Sequence, residues 1–129
     1  MRLAIHFMID PQFAKKTAAI VGFCAVALGA FGAHMLRERL ESLGTTQIWH
    51  TGVLYHLVHA VVLLMLSSWR PVPKWSFWLL LGGVIVFSGS LYLLALTGLR
   101  WFGAITPLGG FGMLAGWFTL CLADRQMSG

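Results

Sequence analysis

Residues 75–97 read WSFWLLLGGVIVFSGSLYLLALT, a run of 23 residues that contains no charged side chain. A helix of about 20 mainly apolar residues crosses the hydrocarbon core of a bilayer, so the length of this run matches one membrane span. We therefore predict a transmembrane helix here and interpret the rest of the chain outward from it.

The composition indicates that lipid forms much of the solvent around this protein. Of 129 residues, 58% are hydrophobic and only 10% are charged, and the mean hydropathy is +0.80. So few polar side chains cannot cover a water-soluble domain of this size. We predict one membrane domain over residues 1–129, with no room for a soluble enzyme module.

Three further apolar stretches predict an all-α integral membrane protein, a four-transmembrane-helix bundle. The segment Arg70-Pro-Val-Pro-Lys74 predicts a tight hairpin, because two prolines so close together end a helix. Asp10 and Pro11 predict the start of the first span, since Asp caps a helix and Pro suits its first turn. We expect this first span to be retained and not removed as a secretory signal, since three more follow. The predicted spans are about 11–33, 47–69, 75–97 and 101–123.

Residues 35–43 separate the first two spans with a different pattern. Apolar residues recur there at helical spacing among charged ones, which is typical of a short amphipathic helix in the membrane interface. Gly44 predicts the end of this helix, and Thr45 or Thr46 predicts the cap of the next one.

Positive residues flank the spans unequally, which predicts the orientation. Six fall on one side and three on the other, namely Arg2, Lys15, Lys16, Arg70, Lys74 and Arg125 against Arg37, Arg39 and Arg100. Lys and Arg concentrate in cytoplasmic flanks, so both termini are predicted to be cytoplasmic. The net charge of +5 is scattered near span ends. This distribution suits anionic headgroups, so we expect membrane lipids as partners and no nucleic acid.

Small residues recur at four-residue spacing within the spans. Ala25 is followed by Gly29 and Ala33, and Gly112 by Gly116. Such ridges let helix backbones approach closely. We interpret them, together with Gly82, Gly83 and Gly89, as packing within one bundle, with a homo-oligomer face as the alternative.

Histidines at membrane depth are costly and usually have a reason. His56 and His59 lie three residues apart in the second span, and we expect them to project from one helix face. That spacing suits a metal pair or a proton relay, but no intramembrane Asp or Glu accompanies it. We interpret both as structural histidines that hydrogen-bond across the bundle, with metal or haem ligation as the alternative.

The alternating direction of the spans brings polar side chains from all four helices to one side of the bundle. We predict a candidate polar site in that outer half, formed by His34, His56, His59, Ser88, Tyr92 and Thr106. Thr106-Pro107 either breaks the fourth helix or kinks it, with the freed carbonyl bonded by a neighbour.

Soluble-enzyme motifs are absent from the sequence. It has no phosphate loop, no nucleophile elbow and no zinc-protease helix. Cys24 and Cys121 lack the spacing of a metal knuckle or a redox pair. We therefore predict that the chain is not an enzyme and has no catalytic residues, no metal site and no cofactor.

Four sequence blocks stand out, namely Gly29-Ala-Phe-Gly-Ala-His34, Trp49-His-Thr-Gly-Val-Leu-Tyr-His-Leu-Val-His-Ala60, Phe87-Ser-Gly-Ser-Leu-Tyr92 and Ile105-Thr-Pro-Leu-Gly-Gly110. Together they resemble the bacterial YgdD-like family, classed as domain of unknown function 423, over most of residues 17–123. The resemblance implies a small multi-pass protein of the bacterial inner membrane, with no established activity.

Two function classes stay open at this point. Small size and abundant small-residue ridges favour a non-catalytic accessory or structural membrane subunit, with a membrane-protein partner or a second copy as neighbour. The polar outer-half cluster favours a small-solute or ion pathway.

The predicted topology places Ser42 and Ser128 on opposite sides of the membrane. Each is to be replaced by Cys in a chain with Cys24→Ala and Cys121→Ala, and labelled with a membrane-impermeant maleimide in intact spheroplasts. We expect label at position 42 and none at 128 until the membrane is opened. Labelling of both positions in intact spheroplasts would contradict the topology.

Overall fold

The computed structural model describes residues 8–123, and these form five helices. They are α1 (Pro11–Ala33), α2 (Arg37–Leu43), α3 (Thr46–Leu66), α4 (Lys74–Thr97) and α5 (Phe102–Leu122). All but α2 are long and apolar enough to cross a membrane. The predicted all-α architecture with four spans is confirmed. Residues 1–7 and 124–129 lie outside the described residues.

The start of α1 follows the predicted capping chemistry. The Asp10 carboxylate accepts a hydrogen bond of 3.1 Å from the backbone N–H of Gln12, and Pro11 is the first helical residue. At the end of α2, Gly44 takes a φ of 66°, a left-handed conformation that is strained for any residue with a Cβ. Both boundary predictions are confirmed.

Side chains of α2 and of the residue after Gly44 form hydrogen bonds to the end of α4. Arg39 Nε donates to the carbonyl of Leu96 at 3.1 Å, and the Thr45 hydroxyl donates to that of Ala95 at 2.7 Å. These carbonyls belong to the last turn of α4, and carbonyls in the last turn of a helix have no N–H partner within that helix. Thr45 precedes α3 as predicted, but its hydroxyl does not cap that helix because it is used across the bundle.

The segment predicted as an interfacial helix over 35–43 is helical only from Arg37, because the chain turns at residues 34–36. Leu40 faces the bundle and is fully buried, in a cluster with Trp49 and Tyr92. The segment therefore does not continue α1, and its orientation to the membrane plane stays a prediction.

The second span ends three residues earlier than predicted, at Leu66 instead of residue 69. Ser67 and Ser68 cause this difference, since their hydroxyls donate to the carbonyls of Leu64 and Met65 at 2.6 Å each. Such side-chain bonds offer the backbone an alternative to continuing the helix.

The spans pack in chain order, with α1 against α3, α3 against α4, and α4 against α5. Within residues 8–123, no backbone contact joins α1 to α5. The two central spans therefore contribute most of the core, and only 22% and 17% of the apolar windows of α1 and α5 are buried.

Glycine backbone contact joins α4 to α5. A Cβ on Gly83 would lie 2.6 Å from the backbone nitrogen of Met113, and one on Gly109 would lie 2.7 Å from the Gly83 carbonyl oxygen. A Cβ on Gly116 would meet Leu80 at 2.6 Å. Real Cβ atoms do not approach so closely, so this packing requires glycine at these positions.

A second glycine contact joins α1 to α3. A Cβ on Gly32 would collide with the indole of Trp49, which is buried and donates from Nε1 to the Leu28 carbonyl at 3.0 Å. The prediction that Ala33 forms part of a packing ridge is therefore wrong. Ala33 is exposed, and Gly32, one residue earlier on the helix, faces the neighbour.

The predicted role of the glycines in α4 holds for Gly83 only. A Cβ on Gly82 or Gly89 would meet nothing within 4 Å. Adjacent positions on a helix face directions about 100° apart, so Gly83 faces α5 and Gly82 does not.

We expect Gly109→Ala to lower the free energy of unfolding by about 1–3 kcal/mol, because its methyl group must push α4 and α5 apart. Gly82→Ala is the matched control, since its methyl group enters open space. Alanine is the better helix former, so the control should be neutral or stabilising by up to about 1 kcal/mol. Reversible unfolding in mixed detergent micelles measures both, and equal effects would contradict the packing described.

Candidate functional site

Polar side chains inside the bundle are paired. Among residues 8–123, every buried side-chain nitrogen or oxygen has a hydrogen-bond partner. Placing an unpaired polar group in hydrocarbon costs roughly several kcal/mol of free energy. The question for each predicted site residue is therefore which partner it uses.

His56, Ser88 and Tyr92 line one cavity of about 240 Å³ between α1, α3 and α4. His56 Nδ1 lies 2.9 Å from the Tyr92 hydroxyl oxygen. The Ser88 hydroxyl donates to the Gly52 carbonyl at 2.8 Å, which ties α4 to α3. The remaining lining residues are Ile20, Val21, Cys24, Val84, Ile85 and Gly89.

The walls of this cavity are aliphatic and its polar groups are engaged. Ile20 and Ile85 on its two sides are 64% and 59% exposed, so the cavity is open toward the lipid-facing surface. A ligand here would meet mainly hydrocarbon side chains, with the His56–Tyr92 pair as the polar feature.

His59 is held by two other groups, and they determine its tautomer. Its Nδ1 lies 2.8 Å from the Tyr55 carbonyl oxygen, and the Trp117 indole N–H donates to its Nε2 at 3.1 Å. A carbonyl only accepts, so Nδ1 carries the proton, and Nε2 accepts from the indole. Both ring nitrogens of a neutral His59 are thus in use, and neither offers a free lone pair to a metal.

His56 and His59 project from neighbouring positions on α3 but bond to different helices. His56 turns toward Tyr92 of α4 and the cavity beside α1, whereas His59 is directed at Trp117 of α5. Three residues rotate about 300° along a helix, which leaves the two side chains about 60° apart. His59 lines a separate cavity of about 340 Å³ with Tyr55, Phe87, Gly110, Met113, Leu114 and Trp117.

Thr106 forms a third group with Ser90, whose hydroxyl oxygen lies 2.6 Å from that of Thr106. This bond joins α4 to α5 beside Pro107. The helix α5 is nevertheless continuous from Phe102 to Leu122. Pro107 removes only the hydrogen bond to the carbonyl four residues earlier, so the break offered as one alternative does not occur.

His34 lies apart from these groups. It caps the end of α1 through its backbone N–H, and its side chain is exposed and lines neither cavity. The single converging site expected from the sequence is therefore divided. His56, Ser88 and Tyr92 share one cavity. His59 and Thr106 bond to other residues, and His34 lies outside both cavities. Whether any of them serves as a binding site stays a prediction.

Several residues that shape these sites carried no sequence signal of their own. Trp117 holds the His59 ring by a hydrogen bond, but nothing in the sequence links these two residues. The Gly52 carbonyl accepts from Ser88, and a Cβ on Gly52 would lie only 3.0 Å from the Tyr92 ring. A buried Gly beside a polar residue of a neighbouring span is the signal that points to such a contact.

Across the described part of the chain, no three His, Cys, Asp or Glu side chains lie close enough to hold one ion. Cys24 and Cys121 are on different outer helices and exposed.

A family model described as "Protein of unknown function (DUF423)" matches residues 28–110. The UPF0382 membrane protein YwdK of Bacillus subtilis (strain 168) is 42% identical over 112 residues, covering 81% of this chain and 89% of that protein. The UPF0382 inner membrane protein YgdD of Escherichia coli (strain K12) is 44% identical over 111 residues, covering 82% of this chain and 84% of that protein.

A UPF0382 membrane protein of Staphylococcus epidermidis (strain ATCC 12228 / FDA PCI 1200) is 39% identical over 115 residues, covering 86% of this chain and 93% of that protein. No solved structure matches this chain at a significant level. The family match covers more than half of the sequence, and its relatives are membrane proteins. This chain, with its four apolar spans, is a multi-pass membrane protein that belongs to the DUF423 family.

Proposed function

We propose that this protein is a non-catalytic accessory or structural subunit of the bacterial inner membrane, with both termini in the cytoplasm. One observation carries the proposal. The buried hydroxyl and imidazole groups of α3, α4 and α5 are used to hold helices together, and none within residues 8–123 lacks a partner. Hydrogen bonds of this kind between spans support a structural use of these groups.

The outer helices support the same role. Only 22% of the α1 apolar window and 17% of the α5 window are buried, so these spans offer long faces to lipid or to a neighbouring protein. The α5 face includes Phe111 and Phe118, which are both more than half exposed. The glycines of α5 face inward, against α4. A partner would therefore meet large side chains on α5 and not a small-residue ridge.

Site-specific photocrosslinking in cells tests the accessory role. A photoreactive phenylalanine analogue is placed at Phe111 or Phe118 on α5, with Phe87 as the control position. The Phe87 ring packs inside the chain, 4.6 Å from that of Tyr55. We expect one inner-membrane protein, identified by mass spectrometry from both α5 positions and absent from the control.

Monomer and lipid adducts alone at both α5 positions would contradict the accessory role. That result would favour the small-solute or ion pathway, for which the cavity beside His56 is the supporting observation. Flux assays on reconstituted vesicles would then be decisive. A pathway requires solute or ion flux that is lost in His56→Leu and Tyr92→Phe, while the accessory role predicts the same basal leak as empty vesicles.

We expect Thr106→Val to lower the free energy of unfolding by about 0.6 kcal/mol, and by no more than about 1.7 kcal/mol, because it removes an interhelical hydrogen bond. Thr51→Val is the matched control, since the Thr51 hydroxyl donates only to Gln47 of its own helix. Detergent unfolding measures both variants. A stable Thr106→Val protein that differs from wild type in ligand binding or flux would contradict a purely structural role.

A further inference from the structure

A polar cavity of about 370 Å³ lies where the start of α1 meets the end of α3. It is distinct from the two cavities inside the bundle, because the lining is largely polar and positively charged. Its lining residues are Pro11, Gln12, Lys15, Leu64, Ser67, Ser68 and Arg70. Two different segments of the chain, α1 and the loop after α3, each supply one cation.

Among residues 8–123, no carboxylate lines this cavity. The one ion pair within residues 8–123 joins Arg37 to Glu41 in α2. The carboxylate closest along the chain is Asp10, which accepts from the Gln12 backbone N–H and does not line the cavity. Lys15 and Arg70 therefore face a shared space to which the described part of the chain contributes no carboxylate.

The donors that line the cavity suit an oxyanion. Arg70 is held in place by Nη1, which donates to the carbonyls of Ser67 and Trp69 at 2.9 Å each. This arrangement leaves Nε and Nη2 to donate to another acceptor, and a guanidinium can hold two oxygens of one phosphate. The Lys15 ammonium and the Gln12 amide add further donors.

The position of the cavity along the spans selects the source of that phosphate. It lies at the ends of two membrane helices, beside a hairpin whose Trp75 is 71% exposed, as in an interfacial aromatic belt. Leu64, on the bundle side of the cavity, is also exposed and provides an apolar wall for acyl chains. The phosphates of phospholipids lie at this level of a bilayer.

We infer that this cavity binds the phosphate headgroup of an anionic phospholipid, with Lys15 and Arg70 as its principal ligands. The lipid would fill the groove between α1 and the end of α3, and its acyl chains would run along Leu64. This site is independent of the accessory role proposed above, since it uses none of the residues paired inside the bundle.

Native mass spectrometry of the detergent-purified full chain tests the inference, with phosphatidylglycerol and phosphatidylcholine as the added lipids. We expect preferential retention of phosphatidylglycerol. Lys15→Gln should weaken that retention about fivefold, the effect of one interfacial cation. Lys16→Gln is the matched control, because Lys16 is adjacent and exposed but does not line the cavity.

Equal losses in Lys15→Gln and Lys16→Gln would overturn the site, because they would indicate a diffuse surface charge. Equal retention of the two lipids would overturn it as well. A third arm titrates inorganic phosphate into the lipid-bound protein, starting from low concentration. Displacement of phosphatidylglycerol by inorganic phosphate at low concentration would assign the cavity to soluble phosphate and contradict the lipid assignment.

Discussion

Hydrocarbon neither solvates a polar group nor drives apolar helices together, and this constraint determines how the bundle is built. Helices that are hydrophobic on all sides associate only where their backbones come close and their polar groups find partners. The contact between α4 and α5 satisfies both requirements. Gly83 and Gly109 allow backbone contact, and the Ser90–Thr106 hydrogen bond lies on the same interface.

The same constraint accounts for the other interfaces. Between α1 and α3, Gly32 makes room for the Trp49 indole, whose N–H donates to a carbonyl of α1. Between α3 and α4, the Ser88 hydroxyl donates to the Gly52 carbonyl. Each pair of neighbouring spans therefore combines a glycine with a polar side chain that bonds across the interface. The polar residues that first suggest a site are largely the ones that hold these helices together.

The sequence predicted the elements well because their signals are local. Asp10-Pro11 and Gly44 act through the backbone of one or two residues, and they mark the observed boundaries. The lengths of the apolar runs reflect bilayer thickness, which is the same for every span. Ser67 and Ser68 are the exception, since serines that shorten a helix cannot be distinguished in the sequence from serines that continue it.

The site could be predicted only in part because helix neighbours are not encoded locally. A span that is apolar all round gives no periodicity to show which face meets which helix. The sequence therefore could not separate His56, which faces α4, from His59, which bonds to α5. It also gave Gly82 and Gly83 equal weight, although only Gly83 touches α5. Residues on adjacent positions of one helix differ by rotation alone, and the packing decides between them.

The His59–Trp117 pair offers the most direct test of a structural role for the intramembrane histidines. A double-mutant cycle with His59→Leu and Trp117→Phe, measured by reversible unfolding in mixed micelles, gives the coupling energy of the pair. If His59 is structural, we expect a favourable coupling of about 0.6 kcal/mol, and of no more than about 1.7 kcal/mol. Strictly additive effects of the two substitutions would contradict it.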